Sequence, residues 1–118
     1  MSRTAAYGGL LSIMPEGIEN DVLEALKDHV RAESAISLPA LTERVLGIST
    51  STTQRQTREA IERLRRKGIP VLSESGKAGR WLAKDKRERD ICVAEMESRR
   101  RRLDEVIRAL HRSSVPVL

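Results

Sequence analysis

Phenylalanine is missing from this sequence, and Tyr7 and Trp81 are its two aromatic residues. A core so poor in aromatic bulk has to be built from Leu, Ile, Val and Ala, carried mainly on helices. The single cysteine, Cys92, excludes an intrachain disulfide and any multi-cysteine metal site, and is compatible with a reducing cytoplasm, the expected location. His29 and His111 are the two histidines, so no Cys/His/acid cluster has metal-ligand spacing. His29 falls beside an apolar stripe and reads as a half-buried or surface histidine rather than a ligand. No apolar run approaches the roughly 18–20 residues a membrane-spanning helix needs. MSRTAAYGGLLSIM at the start has one positive charge and a short apolar patch broken by Gly8-Gly9, without the long apolar stretch of a signal peptide. Residues 1–14 therefore read as a flexible arm. No Gly-rich phosphate loop precedes a helix, and Gly76-x-x-Gly79 falls on a hairpin, where a turn explains it. The sequence points away from an enzyme, and no cofactor or metal is expected.

What is plentiful is charge. A third of the 118 residues are charged, with 22 Lys+Arg against 17 Asp+Glu for a net +5. This suits a polyanionic partner but is weak evidence alone. The length allows one domain with a modest core and is too short for two ordinary ones.

Apolar spacing then orders the chain. Ile18, Val22, Ala25, Leu26 and Val30 predict a first helix over about Glu19 to Arg31, with acidic residues at its start and Lys27 and Arg31 toward its end. Ala35-Ile36-Ser37 is a candidate short strand. Ser37 caps a second helix, Leu38 to about Leu46, with Pro39 in its first turn and Gly47 ending it. Ile48 is expected to plug the corner that follows. A third helix starts near Ser51 to Thr53, where Ser51-x-x-Gln54 and Thr53-x-x-Gln56 both match a capping box, and Gly68 stops it. Ile69–Ser73 and Arg80–Ala83 flank a Gly-rich tip, Ser75 to Gly79, and read as a β-hairpin. Pro70 puts its strand at an edge or leaves that position unpaired. From Lys84 to about Arg112 runs one long helical pattern. Cys92, Met96, Arg99, Leu103, Val106, Ile107 and Leu110 share one stripe, and a second copy of the helix is its simplest partner.

The segments Leu41 to Ser49, Arg58 to Val71 and Gly79-Arg80-Trp81-Leu82 resemble winged helix-turn-helix domains of the biotin-operon-repressor type. Small prophage regulators with a long C-terminal helix look closer still. The resemblance covers about residues 18–84 and, loosely, the last helix. It implies a mainly α fold with a small β-hairpin wing, a winged helix-turn-helix over 15–84, a dimerisation helix over 85–112 and a tail over 113–118. This chain departs from the pattern in two places. About four extra residues lie between Ile48 and Ile61, which enlarge either the turn or the third helix. Arg80 stands where family wings often carry Tyr. Trp81 is either a buried anchor or an exposed contact.

What the resemblance implies of function is binding of double-stranded DNA. A helix in the major groove reads base edges near its N-terminus while phosphate contacts hold the register. Gln54 or Gln56 would pair with adenine, and Arg55 or Arg58 with guanine. Ser51, Thr52 and Thr53 suit phosphate or backbone contacts, and Lys77 and Arg80 would reach the flanking backbone or the minor groove from the wing. A plainer reading makes the hydroxyls caps and the arginines a solvated face. The run Arg99-Arg100-Arg101-Arg102 reads first as a charged helix surface. The expectation is a homodimeric operator-binding regulator of phage or prophage type. The alternative is a protein-interaction adaptor, or a replication or packaging accessory, using the same fold and helix for assembly.

Overall fold

The computed structural model describes residues 17–73 and 79–117. The expected N-terminal arm and most of the hairpin tip, Lys77 included, lie outside the described residues. Within them the chain is mainly helical with a small antiparallel sheet. Helix α1 spans Ile18–Leu26, followed by a 3-10 turn at Ala32–Ser34, strand β1 (Ile36–Ser37), α2 (Leu38–Leu46), α3 (Ser51–Arg66), β2 (Val71–Ser73), β3 (Gly79–Leu82) and α4 (Lys86–Arg112). The strand order is β1-β3-β2. None of the helices among the described residues is long and apolar enough to cross a membrane.

Helix α1 ends about a turn before the apolar spacing suggests. Leu82 N–H donates to the His29 carbonyl at 2.8 Å and Arg31 N–H donates to the Leu82 carbonyl at 2.9 Å, so residues 29–31 run beside β3. Arg31 takes a positive φ of 88° there. Val30 is buried as the stripe requires, but tertiary pairing rather than helix places it. At α2 the local signals and the structure agree: the Ser37 hydroxyl accepts from Ala40 N–H at 3.3 Å, and Gly47 closes the helix at φ 81°. Ile48 plugs nothing; it is 58 % exposed.

Helix α3 starts at Ser51, within the expected span, but neither expected box caps it. Thr50 is the cap: its hydroxyl accepts from Thr53 N–H at 3.1 Å, while Thr53 Oγ1 accepts from Thr50 N–H at 2.7 Å. Threonine at the third helical position thus takes the part usually given to Glu or Gln. Only Gly47–Thr50 separate α2 from α3, and α3 runs through 16 residues.

One face of α3 carries Thr57, Ala60, Ile61 and Leu64 into a core shared with Val22, Leu23 and Leu26 of α1 and Leu41 of α2. Thr42 and Thr57 are fully buried at the α2–α3 contact, their hydroxyls 3.1 Å apart, and Thr57 donates to the Thr53 carbonyl at 3.0 Å. The hairpin is apolar on both sides. Val71 and Leu82, cross-strand partners, face the main core, whereas Leu72 and Trp81, the next pair, join Ala83 and Cys92 in a second cluster under α4. That alternation is the two-residue period of a strand with both faces covered. Pro70 precedes β2 at the sheet edge, its carbonyl accepting from Ala83 N–H at 3.1 Å. At the other edge β1 comes so close to β3 that a Cβ on Gly79 would stand 2.7 Å from the Ala35 methyl.

Glu19 ties the start of α1 to the end of α3, accepting from Arg63 at 2.7 Å and from Lys67. The hydrogen bond from Lys67 does most to hold its carboxyl below its ordinary pKa; Arg63 adds to this and desolvation opposes it. A depressed carboxylate pKa contributes stability above the unfolded value, near pH 4.3, and that contribution is lost as pH falls through the folded one. Glu19→Gln is therefore expected to lower the melting temperature at pH 7, with the gap from the native chain narrowing as the melts are taken below about pH 4.

Candidate functional site

The outer face of α3 is where polar and basic side chains gather without a covering element. Ser51, Thr52, Arg55, Gln56 and Arg58 are all exposed. Thr53 and Gln54 are half-buried and occupied locally: Thr53 Oγ1 donates to the Ile48 carbonyl at 2.8 Å, and Gln54 Nε2 donates to Ser49 Oγ at 2.9 Å. Of the seven α3 residues expected to touch a ligand, five are presented and two build the turn that presents them. Farther along, Arg55, Arg58, Glu59, Glu62, Arg63 and Arg66 line an open depression of about 370 Å³.

The basic end of α3 divides in three. Lys67 and Arg63 are held by Glu19. Arg65 is turned toward the hairpin, donating to the Val71 carbonyl at 2.7 Å and to Ser73 Oγ at 3.2 Å, with Glu62 at 2.8 Å. Arg66 is left exposed. Ser73 is the ladder partner of Arg80, so Arg65 lies beside Arg80 where α3 meets the hairpin. Arg58 belongs to the same group, two helical turns before Arg65 on the same side. Burial does most to push the half-buried Arg80 below the usual guanidinium pKa, and the charges of Arg65 and Arg58 push it further. A guanidinium in that position remains charged and is favoured by an anion nearby.

Arg65 is the member that sequence reading misses. Its seven-residue spacing from Arg58 was the available signal, but a basic last turn has an ordinary explanation in the helix dipole.

The stripe on α4 splits at its root. Cys92 is 6 % exposed and belongs to the cluster with Leu72, Trp81 and Ala83, so it packs inside its own chain instead of facing a second copy. Met96 is half-buried. Beyond it Arg99 is exposed, and Leu103, Val106, Ile107 and Leu110 lie 60, 53, 43 and 66 % exposed. Trp81 is the buried anchor of this joint, donating through Nε1 to Glu88 at 2.8 Å. Among the described residues no group of three or more His, Cys, Asp or Glu is placed to hold a metal ion.

No protein-family model, curated protein or solved structure matches the chain.

Proposed function

We propose that the chain is a winged helix-turn-helix protein of the cytoplasm that binds double-stranded DNA sequence-specifically as a homodimer, occupying an operator in the manner of a phage or prophage regulator. The observation that carries this reading is the open face of α3. Ser51, Thr52, Arg55, Gln56 and Arg58 stand clear of the rest of the chain, and Arg58, Arg65 and Arg80 converge at the junction with the hairpin. In this reading α2, the short link and α3 form the helix-turn-helix, and β2–β3 form the wing. Arg55, Gln56 and Arg58 reach base edges in the major groove. Ser51 and Thr52 meet phosphate at the helix N-terminus, where backbone N–H groups point outward. Arg65 and Arg80 at the junction hold the flanking backbone. Thr53 and Gln54 act indirectly, by fixing the turn. The exposed stripe of α4 supplies the dimer contact.

The test is selection of bound fragments from genomic DNA, followed by gel shifts on selected and random duplexes over a range of salt. Four to six neutralised phosphates predict a log–log salt slope of roughly −4 to −5. A binding constant flat between low and physiological salt would remove the phosphate contacts from the account.

The exposed α4 stripe also favours a second reading, an adaptor that docks other proteins during assembly. A chain that scatters light as a monomer and ignores both duplexes would support the adaptor.

A further inference from the structure

Beyond the root of α4, half-buried Met96 and exposed Arg99, Leu103, Val106 and Leu110 follow one another in steps of three and four. That is the seam spacing of a two-helix coiled coil, and Arg99 is its one charged position. The segment 99–112 is also strongly basic. Six arginines less Asp104 and Glu105 give a formal charge of +4, with His111 neutral. A second copy can cover the seam only in an arrangement that keeps the two arginine runs apart.

Resting on the dimer reading above, we infer that α4 pairs with its counterpart in antiparallel orientation, Leu103 facing the partner's Val106 and Arg99 facing the partner's Leu110. In a parallel pair in register, Arg99 meets the partner's Arg99, and each run Arg99–Arg102 lies beside its twin across about 8–10 Å between axes. The compensation on offer there, Glu95 with the partner's Arg100, is a solvent-exposed rim pair of little worth. In the antiparallel register the two runs are displaced by about 12 Å along the axis. Together with the interaxial spacing, this exceeds the ~8 Å screening length at physiological salt.

Each run then lies beside the last turn of the other helix, the negative end of its dipole. The flanks agree. Arg102 comes opposite the partner's Ala109 and Arg100 opposite the partner's Ile107, so arginine stems cover small and apolar residues while their heads stay in water. Arg99, opposite the partner's Leu110, is near the end of the seam, where a guanidinium reaches solvent easily. The pairing holds the two bodies at opposite ends of the joint helices rather than side by side.

Thiol pairing tests the register. Light scattering first establishes the mass of the native chain, and a gel shift on the same sample follows duplex binding separately. Arg99→Cys and Leu110→Cys chains are then oxidised mildly, alone and mixed; the native Cys92 is buried and so shielded from the oxidant. The antiparallel register predicts an intermolecular disulfide in the mixture at least tenfold faster than in either variant alone. In that register the two residues 110 are about 16 Å apart along the axis. Rapid self-coupling of Leu110→Cys would establish the parallel pair and overturn the inference. A dimer with no coupling in any combination would place the interface elsewhere and overturn it too. A monomer would end both the pairing and the dimer reading, while duplex binding would stand or fall on its own gel shift.

Discussion

Alanine at both Arg55 and Arg58 is expected to abolish specific duplex binding while leaving the helical circular-dichroism signal of the native chain. Each bidentate arginine–guanine contact contributes about 1–3 kcal/mol of discrimination, so losing two should weaken specific binding on the order of 10²–10⁴-fold. The fold should tolerate the change because both side chains are exposed and alanine is the better helix former. Arg65→Ala supplies the contrast. It removes the bonds to the Val71 carbonyl and to Ser73, so it should lower thermal stability as well as affinity. Gel shifts on a selected fragment and melts of all three variants separate these outcomes. If the double variant unfolds, Arg55 and Arg58 belong to the scaffold; if it binds selected DNA as the native chain does, the reading surface lies elsewhere.

Trp81→Ala should have the largest effect on stability. The indole is 4 % exposed, fills the cluster between hairpin and α4, and donates to Glu88. The same carboxylate accepts from Lys84 N–H at 3.2 Å and Ala32 N–H at 3.4 Å, so it clasps the root of α4 to two other segments. Truncating a buried tryptophan costs about 3–5 kcal/mol. Against the 5–15 kcal/mol of a typical domain, such a loss brings the chain close to unfolding at ordinary temperature. Urea denaturation followed by circular dichroism measures it directly. Trp81→Phe keeps most of the ring and loses the N–H donor, and should cost about 1–2 kcal/mol. Equal stabilities for Trp81→Ala and the native chain would mean that the joint contributes little to holding α4.

How much could be read in advance differs from element to element. The second helix was legible because Ser37, Pro39 and Gly47 each act within a few residues of themselves. The short strand at 36–37 and the edge position of Pro70 followed from local chemistry in the same way. The end of α1 was not legible. Spacing alone assigns Val30 to the helical stripe, and what removes it is a backbone bridge to Leu82, fifty-two residues later. Spacing puts Cys92 on the α4 stripe without naming what covers it. Periodicity gives a face, not its occupant, and the hairpin reached Cys92 first. On α3 the exposed residues were legible from their distance to the apolar face. The commitment of Gln54 to Ser49 depends on the geometry of a four-residue link, which composition does not encode.

The doubly covered hairpin has a consequence for how β3 finds its alignment. In most sheets a slip of one residue exposes oily side chains to water and is rejected for that reason. Here both surfaces of the ribbon are greasy, and hydrophobicity alone distinguishes poorly between neighbouring alignments. Size breaks the tie. Shifting β3 by one would bring the bulk of Arg80 to the place where bare Gly79 slides past the methyl of Ala35, and there is no room for it. The missing side chain at position 79 thus works as the notch that sets the strand.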